Sequence, residues 1–113
     1  MKKIFLSFLL FCTLSTSYAK IDIERIDPPF WWTGMQDREL QIMLYGKNIA
    51  DCKIKIDYPG VTLTKAVSLD SKNYSFLYLS IAPETQPGNF DIQLSRKREK
   101  QNIPYTLNAR TIQ

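Results

Sequence analysis

Histidine is absent from this 113-residue chain, and much of the usual chemistry of small proteins is absent with it. Imidazole is the commonest metal ligand and the usual general base, so most metal centres and nucleophile–base pairs are excluded at once. Cysteine is scarce, with only Cys12 and Cys52. Glycine occurs four times and forms no phosphate-cradling loop. No apolar run reaches the roughly 20 residues a helix needs to cross a bilayer. The 11 acidic residues are scattered singly, and their spacing brings no pair together for glycoside hydrolysis. The sequence therefore offers no catalytic residue, no metal ligand set and no cofactor site.

What is present begins with an export signal. Met1-Lys2-Lys3 is a short basic start, Ile4 to Leu14 is almost unbroken apolar sequence, and Ser17 and Ala19 are small where a signal peptidase requires it. The expected cut follows Ala19, giving residues 1–19 as signal peptide and 20–113 as one exported, periplasmic domain. Leu9-Leu10-Phe11-Cys12 has the outline of a lipidation site, but Phe11 is bulky where such a site takes a small residue. Lipoprotein anchoring at Cys12 is set aside, and no membrane association is expected after cleavage. Cys52 is then alone, with no histidine to activate it, and reads as a small apolar filler.

Loss of Lys2 and Lys3 leaves 13 basic against 11 acidic residues, so the charge falls from +4 to +2. That balance does not point to nucleic acid. The one basic cluster, Arg96-Lys97-Arg98-Glu99-Lys100, lies between two strand-like segments and reads as a solvated hairpin tip.

Period-2 alternation recurs along the rest, and no window has helical periodicity. Ile21 and Ile23 share a face of a first strand. Leu40, Ile42 and Leu44 alternate with Gln41, Met43 and Tyr45. Cys52, Ile54, Ile56 and Tyr58 oppose Lys53, Lys55 and Asp57. Tyr58-Pro59-Gly60 is a turn, after which Val61, Leu63, Val67 and Leu69 continue as a strand or a bulged pair of short strands. Tyr74 to Ile81 is apolar on both faces and reads as the central strand. Phe90, Ile92 and Leu94 make a sixth strand; Ile103, Tyr105 and Leu107 make a seventh. About seven antiparallel strands in this length predict an all-β immunoglobulin-like sandwich. The expected core is Leu40, Ile42, Leu44, Ile54, Ile56, Phe76, Phe90, Ile92, Leu94, Tyr105 and Leu107.

Both tryptophans sit together in Asp27-Pro28-Pro29-Phe30-Trp31-Trp32-Thr33-Gly34-Met35. Prolines keep this stretch out of a helix or a central strand, and neighbouring residues of an extended segment point to opposite sides. Trp31 and Trp32 therefore cannot easily enter one core, and at least one is expected to be substantially exposed. Phe30, Trp31 and Trp32 are the candidate contact for a protein or a sugar ring.

This run, with Leu40-Gln41-Ile42-Met43-Leu44-Tyr45-Gly46-Lys47-Asn48-Ile49, resembles the N-terminal domain of bacterial cyclomaltodextrinases and neopullulanases, glycoside hydrolases of the α-amylase superfamily. The likeness continues at Tyr58-Pro59-Gly60-Val61, Asn73-Tyr74-Ser75-Phe76, Pro87-Gly88-Asn89-Phe90 and Ile103-Pro104-Tyr105-Thr106-Leu107. It implies an immunoglobulin-like accessory domain that packs on a catalytic (β/α)8 barrel of the same or a partner chain and shapes access to α-glucans. The catalytic carboxylates of those enzymes lie on the barrel, so no position here inherits them. Two other readings stay open: a free-standing module binding malto-oligosaccharide, and a structural immunoglobulin-like interaction domain.

Overall fold

The structure, a computed structural model, describes residues 21–110; the signal peptide read over residues 1–19, and Cys12 with it, lie outside the described residues. The alternating segments become eight strands: β1 (Arg25–Asp27), β2 (Trp31–Trp32), β3 (Glu39–Tyr45), β4 (Lys53–Ile56), β5 (Val61–Val67), β6 (Tyr74–Ile81), β7 (Gly88–Arg96) and β8 (Glu99–Asn108). A single 3-10 turn at Ile49–Asp51 is the helical element among the described residues.

Two four-stranded sheets form, in the orders β1-β3-β6-β5 and β2-β8-β7-β4. This is the strand arrangement of an immunoglobulin-type sandwich. The expected seven strands become eight because the first is split. The chain runs β1 along the first sheet, turns through a cis Asp27–Pro28 bond, and adds β2 to the edge of the second. The first strand was expected at Ile21 and Ile23. In the structure those residues precede β1, although Ile21 is still buried.

Inward residues of both sheets form one cluster, in which Leu40, Ile42, Leu44, Leu77, Leu79, Ile81, Phe90, Ile92, Leu94, Tyr105 and Leu107 are all buried. Water is excluded between the sheets, and each such side chain contributes roughly 1.5–3 kcal/mol of burial. Three expected core members need correction. Ile54 and Ile56 are half-buried, because β4 is an edge strand covered from one side only. Phe76 is half-buried on the outward face, since Ser75, Leu77, Leu79 and Ile81 take the inward positions of β6. The strand is central, between β3 and β5, as its two-sided apolarity implied.

β5 carries its bulge between Leu63 and Lys65. Thr64 is the extra residue, and its hydroxyl donates to the Tyr78 carbonyl at 2.9 Å. The strand ends at Val67, leaving Leu69 in the loop beyond rather than on the strand. The basic cluster is the β7–β8 hairpin tip, with Arg96 opposite Glu99 and Lys97 at φ 55°. Gly60 sits at φ +90°, where a Cβ would also overlap the Thr85 hydroxyl. The absent side chain lets the 82–87 loop lie on the Tyr58-Pro59-Gly60 turn, where the Ala82 N–H donates to the Gly60 carbonyl at 2.8 Å.

Candidate functional site

The aromatic corner is held by the end of β8. β2 pairs with it in parallel, Trp31 beside Leu107 and Trp32 beside Asn108. The Thr33 N–H donates to the Asn108 carbonyl at 2.9 Å. Tyr105 closes the other side, its hydroxyl donating to the Pro28 carbonyl at 3.0 Å. Burial pushes this phenol well above its ordinary range, and the charge of Asp27 adds to the effect. The turn that presents Phe30, Trp31 and Trp32 is thus tied to the core at both ends.

The structure brings those three residues together. Trp31 packs against the core cluster. Trp32 lies between Trp31, at 5.3 Å and 58°, and Phe30, at 5.3 Å in an edge-to-face contact. Edge-to-face pairs of this kind are worth about 0.5–1.5 kcal/mol beyond their buried area. The exposed member is Phe30, at 42 %. Both indoles are half-buried, so the expected free tryptophan is not found. The end of β8 supports the backbone of the pair, and Phe30 packs edge-on against Trp32.

The hollow between this corner and the Gly34–Arg38 and Ile81–Pro83 segments has a volume of about 10 Å³. That is room for a single water, and no sugar ring enters it. Phe30 is the ring of the corner that is open to solvent. A depression of about 420 Å³ lies elsewhere, where Ile21–Ile26 faces Gln101–Pro104. It follows the edge of β8 that has no strand partner over residues 99–106 among the described residues, and Pro104 stands on that edge without an N–H to offer.

Of the acidic side chains, all are exposed except Glu99, which is half-buried and ion-paired with Arg96 at 2.8 Å. The Arg96 guanidinium also donates to the Asn48 carbonyl at 3.0 Å, so this pair braces the hairpin against the Gly46–Asn48 turn. Cys52 is half-buried nearby. Burial pushes its thiol up, partly offset by the charge of Arg96, which leaves it protonated and unreactive at neutral pH. Among the described residues no cluster of three potential metal ligands occurs.

Sequence reasoning missed the outward face of the first sheet, where Tyr45, Tyr74, Phe76 and Tyr78 stand together. The signal was present as the two-sided apolarity of Tyr74–Ile81, which was read only as a mark of central position. Compared with known families, residues 25–111 match the family described as cyclomaltodextrinase, N-terminal.

Proposed function

Since the chain belongs to the cyclomaltodextrinase N-terminal family, we propose that it works as a non-catalytic accessory domain of an exported α-glucan-degrading glycoside hydrolase. In this reading the Phe30-Trp31-Trp32 corner packs on the catalytic barrel of the same or a partner chain and helps to shape substrate access. The observation that carries it is the form of the corner: three aromatic rings on a braced turn, with Phe30 exposed and the hollow beside the two tryptophans only about 10 Å³. An exposed aromatic ring on a braced turn suits a pocket on another protein, where buried aromatic anchors supply much of the binding energy. The exposed, scattered carboxylates support the non-catalytic part of the proposal.

Two measurements test it. The protein incubated with cyclodextrin, pullulan and maltoheptaose releases no reducing sugar, and maltoheptaose leaves its tryptophan fluorescence unchanged. Mixed with a family enzyme from which the N-terminal domain has been deleted, it binds, and Phe30→Ala weakens that binding at least tenfold. A saturable fluorescence shift with maltoheptaose, lost in Trp32→Ala, would replace this reading with that of a sugar-binding module. Export is part of the same proposal, and a mature chain beginning at Lys20 by mass spectrometry is its check.

A further inference from the structure

The parity of β8 carries the aromatic corner onto the outer face of the second sheet. Trp31 pairs with the buried Leu107, whereas Trp32 pairs with the exposed Asn108. Alternate residues of a strand share a face, so Trp32, with Phe30 packed on it, stands at one end of the outer face of β8, β7 and β4. Away from the corner Thr106 lies beside Asn89, Pro104 beside Asp91, and Asn102 beside Gln93, which pairs in turn with Lys55. Lys100, Ser95 and Lys53 make the last row, with Lys97 and Arg98 of the hairpin tip beyond it. From Asn108 to Lys100 the strand covers about 27 Å, at about 3.4 Å per residue.

The charges on this face are sorted by sign. Lys53, Lys55 and Lys100, all exposed, hold the half toward the tip, and Lys97 and Arg98 extend it. The acids at that end are Asp51 and Glu99, and Glu99 is held by Arg96. Asp91 stands nearer the corner, and Asp57, one residue past the Ile56–Ile92 pair, comes level with it. Asp37 and Arg38 line the hollow at the corner, one of each sign, and Asp22 and Glu24 lie off the face, across the groove beside the edge of β8. Among the described residues the ion pairs are Arg25–Asp27 and Arg96–Glu99, so the lysines and aspartates of this face are not paired with one another. A face that serves solubility alone intersperses its signs, and like charges side by side on neighbouring strands cost the fold stability.

We infer, resting on the accessory-domain reading above, that the outer face of the β2-β8-β7-β4 sheet is the one the domain turns to its partner: a protein surface that receives the aromatic corner at one end and sets carboxylates against Lys53, Lys55 and Lys100 at the other. A uniform polyanion, such as a nucleic acid or an anionic lipid surface, laid flat on the lysines would also meet Asp57 and Asp91, which repel it. A folded protein can oppose each half with the other sign. Charge complementarity of this kind steers encounter and fixes register, while the corner supplies the apolar anchor. Gln93 and Asn102 lie between the halves, and their amides both donate and accept hydrogen bonds.

Titration calorimetry of the full chain against a family enzyme from which the N-terminal domain has been deleted decides it, at about 50 and about 300 mM salt, where exposed charges are weakly and strongly screened. Wild-type affinity falls with salt. Lys55→Glu weakens binding at least fivefold at the lower salt and little at the higher. Lys65→Glu, the same change of charge on the outer face of the first sheet, leaves it unchanged. Both lysines are exposed, so the fold is kept, which unchanged circular dichroism spectra verify. Lys55→Glu without effect, or an equal loss from Lys65→Glu, overturns the inference. So does polyglutamate binding as tightly as the enzyme, which would make the basic end a general polyanion site. If Phe30→Ala weakens binding and Lys55→Glu does not, the corner reading stands and the charged face falls; the reverse removes the corner and keeps the charged face. An enzyme that does not bind at all overturns both.

Discussion

Replacing Leu77 by alanine, and separately its neighbour Phe76, asks the central strand which of its two apolar faces is the core. Leu77 is fully buried and Phe76 is half-buried on the outward side. Leu77→Ala removes three buried carbons, worth about 0.8 kcal/mol each, or roughly 2.4 kcal/mol in transfer alone. The cavity left between two tightly packed sheets adds to this, giving about 3–4 kcal/mol, inside the range of about 2–5 for such truncations. Phe76→Ala removes more atoms but loses only part of the roughly 1.5–3 kcal/mol that full burial of a phenylalanine is worth. With the lost stacking on Tyr74, the cost is about 1–2 kcal/mol. The smaller side chain is therefore the more expensive one to lose.

Urea melts followed by tryptophan fluorescence and far-ultraviolet circular dichroism measure both. A domain of this size has an m-value near 1–1.5 kcal/mol/M in urea, so Leu77→Ala lowers the midpoint by about 2–4 M and Phe76→Ala by about 0.7–2 M. Total stability of about 5–13 kcal/mol leaves both variants folded at the start. Equal losses, or a greater loss for Phe76→Ala, would refute the register assigned to β6. Because one residue of slip exchanges the faces of a whole strand, no intermediate result can be absorbed.

Gly60→Ala meets both a left-handed backbone and the Thr85 hydroxyl, whereas Gly34→Ala, at φ +75°, meets open space. Gly34→Ala should cost about 1–2 kcal/mol and Gly60→Ala distinctly more; similar urea midpoints for the two would show that the 82–87 loop does not lie on the turn. Tyr105 gives a pH test. Its folded-state pKa is raised, so its contribution is complete below the unfolded value near 10 and is lost as pH rises above that, by up to about 1.4 kcal/mol per pH unit. Tyr105→Phe should cost about 1 kcal/mol at neutral pH through the lost bond to Pro28 and should flatten the fall in urea midpoint between about pH 9.5 and 11.5, above the ordinary tyrosine pKa; an alkaline slope unchanged by the substitution rules that account out.

Alternation along the chain determined by itself that the protein is all-β and where β3, β6, β7 and β8 run; that β5 is one strand with a bulge at Leu63/Lys65 came from the structure. Tyr58-Pro59-Gly60 and the Arg96–Lys100 stretch were legible as turns because their backbone needs are local. The residues that suggested a family also lie within the match over 25–111. Tertiary structure decided the rest. On Tyr74–Ile81 both parities are apolar, so periodicity has no sign, and only the neighbours β3 and β5 choose Leu77, Leu79 and Ile81 for the interior. Ile54 and Ile56 have the pattern of core residues, but the place of β4 at a sheet edge leaves them half-covered. Trp31 and Trp32 stand out in the sequence as an adjacent pair, yet their shared half-burial depends on Phe30 and the end of β8, which lies 76 residues downstream. A strand's own sequence states how often its side chains alternate; which side is dry depends on what the rest of the chain brings against it.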